Sequence, residues 1–243
     1  MSLFDQWTGV INLDKPGGMS SARAVDAAKR LLPRRTKIGH AGTLDPFATG
    51  VLLLLVAKAT KLCETLMDKP KEYETTMKLG ATTPTLDPDS PEEPLRRGAQ
   101  LGEESGNVGA IVVSREQIEA LLPRFVGAIQ QRPPAFSAMK LGGKRAYDLA
   151  RAGEAVELEP RTVQVYGIDL LDYTWPLVKL RIRCGRGTYI RSIARDVGAA
   201  LGVGGYLTQL RRTRVGDFGI DSAVPLERLT HDGAAVHLQR TEQ

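Results

Sequence analysis

The sequence predicts an α/β protein with a mixed sheet rather than a doubly wound parallel one. Strand and helix patterns intermix along the chain without the regular βα period of a parallel sheet. In Leu177–Cys184 every second residue is apolar, as in a strand with one buried face, and Val51–Ala57 is continuously apolar, as in a fully buried strand. With 243 residues and no long linker, we predict a single domain over residues 1–243.

Helix starts are indicated by capping patterns. Ser114 and Gln117 form a capping box for a helix that runs to about Leu122. Further helices are predicted from Ala22 after a Ser20 or Ser21 cap, over Ala59–Met67, over Lys144–Ala152, and from a Thr188 cap to Leu201.

Residues 81–108 differ in composition from the rest of the chain. They hold four prolines, six acids and almost no large apolar side chains. Such a segment buries too little apolar surface to offset the entropy of ordering it. We therefore predict a flexible acidic insertion here.

Positive charge is concentrated in three blocks. The net charge is +5, and residues 15–37, 124–151 and 181–214 hold seven, six and eight Lys or Arg residues with one acid each. One such block is typical of a solvated face, but three indicate a polyanionic partner, most simply nucleic acid.

Several classes of protein are disfavoured by what the sequence lacks. The two cysteines and three histidines do not form a zinc-ligand pattern, and no dense Asp/Glu motif suggests magnesium, so we predict no metal. No apolar run approaches the roughly 18 residues of a membrane span, and Met1–Lys15 does not resemble a signal peptide. We expect free thiols and a cytoplasmic location.

The segment Gly39–Leu52 is the strongest candidate for a functional site. It places one carboxylate, Asp45, among three glycines, with Pro46 next to it and His40 five residues upstream. Glycines at this density indicate unusual backbone angles or close approach by another group. The alternative is an aspartate that only caps its own turn.

A second distinctive stretch is Gln131–Lys140. Its paired prolines keep the chain extended, and Phe136 is an aromatic side chain among basic groups. This combination suits stacking on unpaired bases with phosphate contacts. Alternatively, Phe136 anchors the loop to the core.

Together these stretches resemble the TruB family, the tRNA pseudouridine-55 synthases. The matching motifs occur in the family's order within residues 9–228: Lys15–Ser21, Gly39–Leu52, Lys71–Tyr73, Gln131–Lys140, Gly187–Arg191 and Leu210–Thr213. The resemblance implies a mixed, mostly antiparallel sheet flanked by helices, with an RNA-gripping insertion over residues 131–153.

The resemblance also implies roles for individual residues. Asp45 would be the catalytic aspartate, paired with Arg191, which keeps the carboxylate ionised. The substrate-contacting residues would be His40, Tyr73, Tyr189, Arg191 and Leu210. From the basic blocks and the aromatic loop, we expect RNA contacts at Lys15, Phe136, Lys140, Arg211 and Arg212.

The implied reaction is isomerisation of uridine 55 in the T loop of tRNA, after the nucleotide is flipped out. The enzyme would act as a monomer without metal or cofactor. Asp45 could attack C1′ as in a retaining glycosidase, add to C6, or assist a glycal route. A non-catalytic RNA-binding protein and a glycosidase-like hydrolase are the alternatives, but the latter lacks a second carboxylate in a comparable motif.

Two features depart from the family pattern. Pro84 stands where the family usually has an acidic residue in a Thr-Asp-Thr pattern, which leaves that loop's contacts open. Residues 230–243 form a short tail, so we expect no C-terminal PUA domain.

Overall fold

The computed structural model describes residues 7–94, 112–137, 139–141, 144–145, 152, 158–229 and 238–239. The helices are α1 (Ser21–Lys29), α2 (Cys63–Asp68), α3 (Arg115–Leu121) and α4 (Ile190–Ala200). The strands are β1 (Gly9–Lys15), β2 (Ile38–Ala41), β3 (Thr49–Val56), β4 (Lys71–Leu79), β5 (Ala81–Thr82), β6 (Glu93–Pro94), β7 (Gly127–Gln131), β8 (Lys140–Leu141), β9 (Lys144–Arg145), β10 (Arg161–Thr174), β11 (Leu177–Cys184), β12 (Gly205–Val215), β13 (Phe218–Gly219), β14 (Val224–Pro225) and β15 (Leu238–Gln239).

The chain divides into two compact units. The first comprises Met1–Glu74 with Leu210–Gln243, and the second comprises Thr75–Gln209. Most strand pairs are antiparallel, and the β1–β14 and β3–β12 pairs are parallel. The predicted α/β fold with a mixed, mostly antiparallel sheet is therefore confirmed, whereas a single catalytic domain over residues 1–243 stays a prediction. Among the residues described, no helix is long and apolar enough to cross a membrane.

Strand β3 is the centre of the first unit. All its residues from Gly50 to Val56 are buried, which confirms the strand predicted from the continuous apolar run. Along one side β3 pairs with the whole of β1, from Gly9↔Val56 to Lys15↔Gly50. Each fully buried Leu or Val side chain contributes about 1.5–3 kcal/mol to stability, so this strand anchors whatever is attached to it.

The other side of β3 has two different neighbours. Its second half pairs with β2, from Ala41↔Leu53 to Ile38↔Val56, and its first two residues pair in parallel with β12. The connection from β2 to β3, residues 42–48, therefore leaves the sheet where β12 replaces β2. This connection is the loop that carries Asp45.

The second unit is built on the antiparallel strands β7, β10 and β11. β10 pairs with β7 from Arg161↔Gln131 to Val165↔Gly127, and with β11 from Val165↔Cys184 to Thr174↔Leu177. The predicted alternation in β11 is confirmed, because Val178, Leu180, Ile182 and Cys184 are all buried.

Residues 81–94 are built into the second unit. β5 pairs with β6, the side chains of Thr83, Leu86 and Asp87 are buried, and Lys78 and Tyr206 both hydrogen bond to Glu92. These two bonds lower the pKa of Glu92. The prediction of flexibility from residue 81 onward is therefore wrong as far as residue 94; residues 95–111 lie outside the part of the chain described.

Helix termini test the capping predictions. The Ser114–Gln117 capping box is present at α3, and Ser20 caps α1. α4 begins with Tyr189 at its N-cap and no side-chain cap, so the Thr188 cap is wrong. The helix predicted from Lys144 is wrong at its start, where β9 pairs with β8; residues 146–151 are not among those described.

Gly50 gives a test of this packing. A Cβ at Gly50 would lie 2.2 Å from the Arg212 carbonyl oxygen, and its φ is +101°. We expect Gly50→Ala to lower the free energy of unfolding by about 3 kcal/mol or more, since backbone atoms cannot move aside cheaply. Urea unfolding measures this loss of free energy.

Gly18→Ala is the control, because Gly18 also has a positive φ (+74°) but no atom within 4 Å of the added Cβ. This substitution should cost only about 1–2 kcal/mol. Equal losses in the two variants would contradict the close-packing argument.

Candidate active site

The backbone on each side of Asp45 is held by a side chain from elsewhere in the first unit. Ser21, the first residue of α1, binds both backbone groups of Leu44: its Oγ donates to the carbonyl at 3.0 Å and accepts from the amide at 2.9 Å. On the other side, the carbonyl of Pro46 accepts from Lys15 Nζ at 3.3 Å. Ala48 N–H also bonds to the Asp45 carbonyl at 3.1 Å. The half-buried Asp45 carboxylate therefore stands on a rigid loop.

Lys15 is a buried cation beneath this loop. The residue is 0% exposed, and its ammonium also donates to the carbonyls of Pro16 and Met19 at 2.8 and 2.6 Å. Burial lowers the pKa of Lys15 to about 8, while the negative charge of Asp45 acts in the opposite direction. The side chain of Lys15 is buried, and its predicted contact with RNA stays a prediction.

Arg212 is the second buried cation. It is 1% exposed, and its guanidinium donates to the carbonyls of Val51 (2.7 Å) and Gly42 (3.1 Å). It thereby links the first residue of the loop to β3. This guanidinium is used inside the fold, and the RNA contact predicted for Arg212 also stays a prediction.

The neighbouring Arg211 lies on the opposite face of β12. Its guanidinium donates to Asp14 Oδ2 at 2.8 Å and to Thr49 Oγ1 at 3.2 Å, and its side chain is 42% exposed. Alternation along a strand explains why adjacent arginines have different environments. An RNA contact at Arg211 stays a prediction.

His40 lies on β2 opposite Leu54 and is partly buried. Burial, assisted by the charge of Arg212, lowers the pKa of His40, so the imidazole is neutral at pH 7. Its Nδ1 is buried and has no hydrogen-bond partner within the described chain. The contact of His40 with a flipped nucleotide stays a prediction.

Tyr73 on β4 and Leu210 on β12 also belong to the first unit. They are 8% and 7% exposed. Side chains of the same two strands are joined by a hydrogen bond from Thr213 Oγ1 to Glu72 Oε1 at 2.8 Å. The positions of Tyr73 and Leu210 against uracil stay predictions.

In the second unit, Arg191 is buried and multiply bonded. It donates to Asp87 Oδ2 at 3.0 Å, to the Thr85 carbonyl at 2.9 Å and to the Phe136 carbonyl at 2.9 Å. Both side chains of the Arg191–Asp87 ion pair are about 95% buried, at 5% and 4% exposure. The pairing of Arg191 with Asp45 stays a prediction.

Asp87 is the partner of Arg191 in this ion pair, and the sequence analysis missed it. Its backbone amide donates to Thr83 Oγ1 at 3.0 Å, and its carboxylate accepts from Thr85 Oγ1 at 2.5 Å. These two bonds fix the position of Asp87. The signal was the polar Thr-x-Thr-x-Asp spacing, which was hidden by the surrounding prolines and acids. Pro84 is exposed beside this network, so the loop makes its contacts through the threonines.

Tyr189 is positioned by a buried amide. The side chain of Gln131, 1% exposed, accepts from the Tyr189 amide at 2.8 Å and donates to its carbonyl at 3.1 Å. The carbonyl of the next residue, Arg132, accepts from Ser192 and Arg195 of α4. The start of the predicted 131–153 insertion is thus fixed to α4.

Phe136 is half-buried in this same segment, and its RNA contact stays a prediction. The side chain of Lys140 lies outside the described part of the chain, although its backbone belongs to β8. Within that part, no group of three His, Cys, Asp or Glu side chains could hold a metal ion.

Comparisons with known proteins match nearly the whole chain. The family described as "TruB family pseudouridylate synthase (N terminal domain)" matches residues 29–190, and "tRNA pseudouridylate synthase B C-terminal domain" matches residues 191–242. Proteins named tRNA pseudouridine synthase B are similar to it. That of Azoarcus sp. (strain BH72) is 46% identical over 94% of this chain and 71% of its own length. That of Ralstonia pickettii (strain 12J) is 47% identical over 93% and 68%.

Two solved structures are also similar to this chain. A chain in a Cbf5-Nop10-Gar1 complex is 32% identical with a TM-score of 0.67, over 91% of this chain and 53% of that one. A chain of an H/ACA RNP bound to a substrate RNA containing 2′-deoxyuridine is 29% identical with a TM-score of 0.65, over 93% and 54%. The present chain thus spans about half the length of these solved chains. From the motifs, the fold and these matches, the chain belongs to the TruB family of pseudouridylate synthases.

Proposed function

We propose that this enzyme converts uridine 55 in the T loop of tRNA to pseudouridine, with Asp45 as the catalytic residue. The observation that carries the proposal is the loop itself. Its single carboxylate stands between two residues whose backbone groups are bound by Ser21 and Lys15, in a chain that belongs to a pseudouridylate synthase family. A carboxylate held in this way requires no reorganisation during the reaction.

The reaction breaks the N1–C1′ bond of the nucleotide, turns the uracil and joins C5 to C1′. The C5 proton is lost to solvent and N1 gains a proton, so the atoms balance without an oxidant or reductant. The target base must leave its stack, which costs a few kcal/mol. Contacts to the RNA offset this cost.

Asp45 can serve the reaction by attack at C1′, by addition to C6, or by proton transfer in a glycal route. All three require an ionised carboxylate close to the sugar and base. The buried ammonium of Lys15, which interacts electrostatically with Asp45, favours that form.

The remaining residues bind and orient the nucleotide. Neutral His40 lies five residues before Asp45 and contacts the flipped nucleotide, and Tyr73 presents its ring to the uracil. Tyr189 and Leu210 line the pocket, and Arg191 orients the carboxylate. Because Asp87 holds one Arg191 nitrogen, it is a positioning residue for that guanidinium. Arg211, Phe136 and Lys140 contact the T stem-loop, and the enzyme acts as a cytoplasmic monomer.

A direct test uses an unmodified tRNA transcript labelled with tritium at uridine C5. Conversion releases tritium, and a transcript with cytidine at position 55 is the control for position. Release from the control transcript at the same rate would contradict the assignment to position 55.

Replacing the proposed catalytic acid should abolish turnover. We expect Asp45→Asn to release no measurable tritium while its Kd for tRNA stays within a few-fold, because one neutralised carboxylate changes few phosphate contacts. Asp26→Asn, an exposed acid of α1 in the same unit, should keep full activity. Turnover of Asp45→Asn near the wild-type rate would refute the role of Asp45, whereas no turnover by the wild-type protein would leave RNA binding without catalysis as the function.

Replacing the buried guanidinium tests the role of Arg191. A lysine cannot replace the three bonds to Asp87, Thr85 and Phe136, because it offers a point charge instead of a planar fork. We expect Arg191→Lys to lower the single-turnover rate at least about tenfold, which corresponds to about 1.4 kcal/mol. Arg195→Lys on the same helix, where the side chain is 30% exposed, should change the rate little. Equal rates for wild type and Arg191→Lys would make this residue dispensable for the chemistry.

The buried ammonium of Lys15 predicts a pH dependence of stability. The Lys15 pKa is about 8 in the fold and about 10.5 in the unfolded chain, so between these values only the unfolded chain keeps the proton. The free energy of unfolding should therefore rise with pH in this window, by about 3 kcal/mol, relative to Lys15→Met. Urea unfolding at pH 7, 8.5 and 10 measures the difference. Lys69→Met, at an exposed lysine, is the control for removing one positive charge. A difference between wild type and Lys15→Met that stays constant over these pH values would contradict the lowered pKa of Lys15.

A further inference from the structure

The first unit contains a concavity that the proposed reaction does not use. It has a volume of about 360 Å³ and lies beside the end of β3 and the start of β2. The aromatic ring of Trp7 lines it together with four basic side chains, those of Arg35, Lys37, Lys58 and Lys61. This volume is within the range of about 300–1,000 Å³ that is typical of ligand sites.

Two unusual backbone turns shape the concavity. Arg35 and Ala57, which both line it, have φ values of +68° and +53°. Non-glycine residues with such angles cost free energy and are concentrated at ligand-binding sites. A hydrogen bond of 2.8 Å from the Ala57 amide to the Lys37 carbonyl holds the two sides of the concavity together.

The charges of the concavity all have the same sign. None of the residues that line it in the described structure is acidic, and the four cations are exposed. Exposed cations of one sign around a concavity create a positive potential there, which favours an anionic ligand.

The lining hydroxyl groups are already used within the fold. Thr36 Oγ1 donates to the Pro33 carbonyl at 2.7 Å, and Thr60 Oγ1 donates to the Ala57 carbonyl at 2.8 Å. A ligand would therefore be bound by the exposed cations Arg35, Lys37 and Lys61, with the Trp7 side chain beside them. Phosphate contacts beside an aromatic ring are typical of sites that bind unpaired nucleotides without reading their sequence.

The concavity and the Asp45 loop lie at opposite ends of the β2–β3 hairpin. Residues 42–48 form the closed end of this hairpin, and Lys37 and Ala57 form its open end. Ala41, the last residue of β2, is four positions after Lys37, so the concavity is about 13 Å along the strand from the residue that precedes the loop. An RNA chain bound at Asp45 is long enough to reach it.

We propose that this concavity is a second RNA site, which binds phosphates of the tRNA substrate on its lysines and arginine and an unstacked base on Trp7. The proposal rests on the proposed function only in naming tRNA as the substrate. The concavity would increase the affinity for the RNA and take no part in the chemical step.

The test compares two double variants that remove the same charge. Lys37→Gln with Lys61→Gln alters the concavity, and Arg23→Gln with Lys69→Gln removes two exposed cations of the same unit that do not line it. Filter binding of tRNA at several salt concentrations gives the Kd and its salt slope, and tritium release gives kcat/KM. Thermal melting verifies that both double variants are folded.

We expect the concavity variant to raise the Kd about tenfold at 0.1 M salt and to reduce the salt slope by about 1.4–1.8, because each lost phosphate contact removes about 0.7–0.9. Its kcat/KM should fall by the same factor as its affinity. The control variant should bind and turn over as wild type does. Equal losses in both variants would overturn the proposal, since net charge alone would then explain them.

Trp7 supplies a second, independent measurement. The chain has two tryptophans, so in Trp175→Phe the fluorescence comes from Trp7 alone. Addition of tRNA should quench it, and inorganic phosphate or a polyglutamate peptide should not. Quenching by phosphate or by the peptide, with the RNA salt slope unchanged, would identify a small-anion or acidic-peptide site and overturn the assignment to RNA.

The two proposals fail in different ways. If wild-type protein makes no pseudouridine but the double variants still differ in tRNA affinity, only the proposed function fails. If turnover is normal and the double variants bind tRNA equally, only the second RNA site fails.

Discussion

The first unit depends on a buried guanidinium that is bonded to backbone. Arg212 donates to Val51 in β3 and to Gly42 at the start of the loop, while its own backbone runs against Gly50. A buried charge is costly unless hydrogen bonds satisfy it, and here carbonyl groups of two chain segments do so. Its position fixes how β12, β3 and the loop meet.

Lys15 is a second buried cation whose charge is satisfied by backbone carbonyl groups. Lys15 binds three carbonyls. After burial, the charge of Arg212 also contributes to lowering the pKa of Lys15 and that of His40. Two buried cations together favour an anion above them, and Asp45 is the acid that interacts with Lys15. The loop is therefore organised both by hydrogen bonds and by charge.

The second unit uses an ion pair for a similar purpose. Breaking a buried pair by removing one partner costs about 3–5 kcal/mol, because the other charge is left without compensation. Arg191 and Asp87 are such a pair, and Arg191 also binds the carbonyl of Phe136. One guanidinium consequently holds together residues 83–87, the 131–137 segment and α4.

The sequence alone determined the features that depend on neighbouring residues. The buried strand β3, the alternation of β11 and the capping box of α3 follow from local periodicity and local hydrogen bonds, and so does the identification of the Gly-rich loop around Asp45.

The tertiary structure decided which charges reach solvent. Lys15, Arg211 and Arg212 are equally basic in the sequence, yet only Arg211 is substantially exposed. The pairing of Asp87 with Arg191 joins residues 104 positions apart, and the order of residues 81–94 depends on partners just as distant. Burial and pairing at such separations arise from the packing of the whole unit, and no local pattern encodes them.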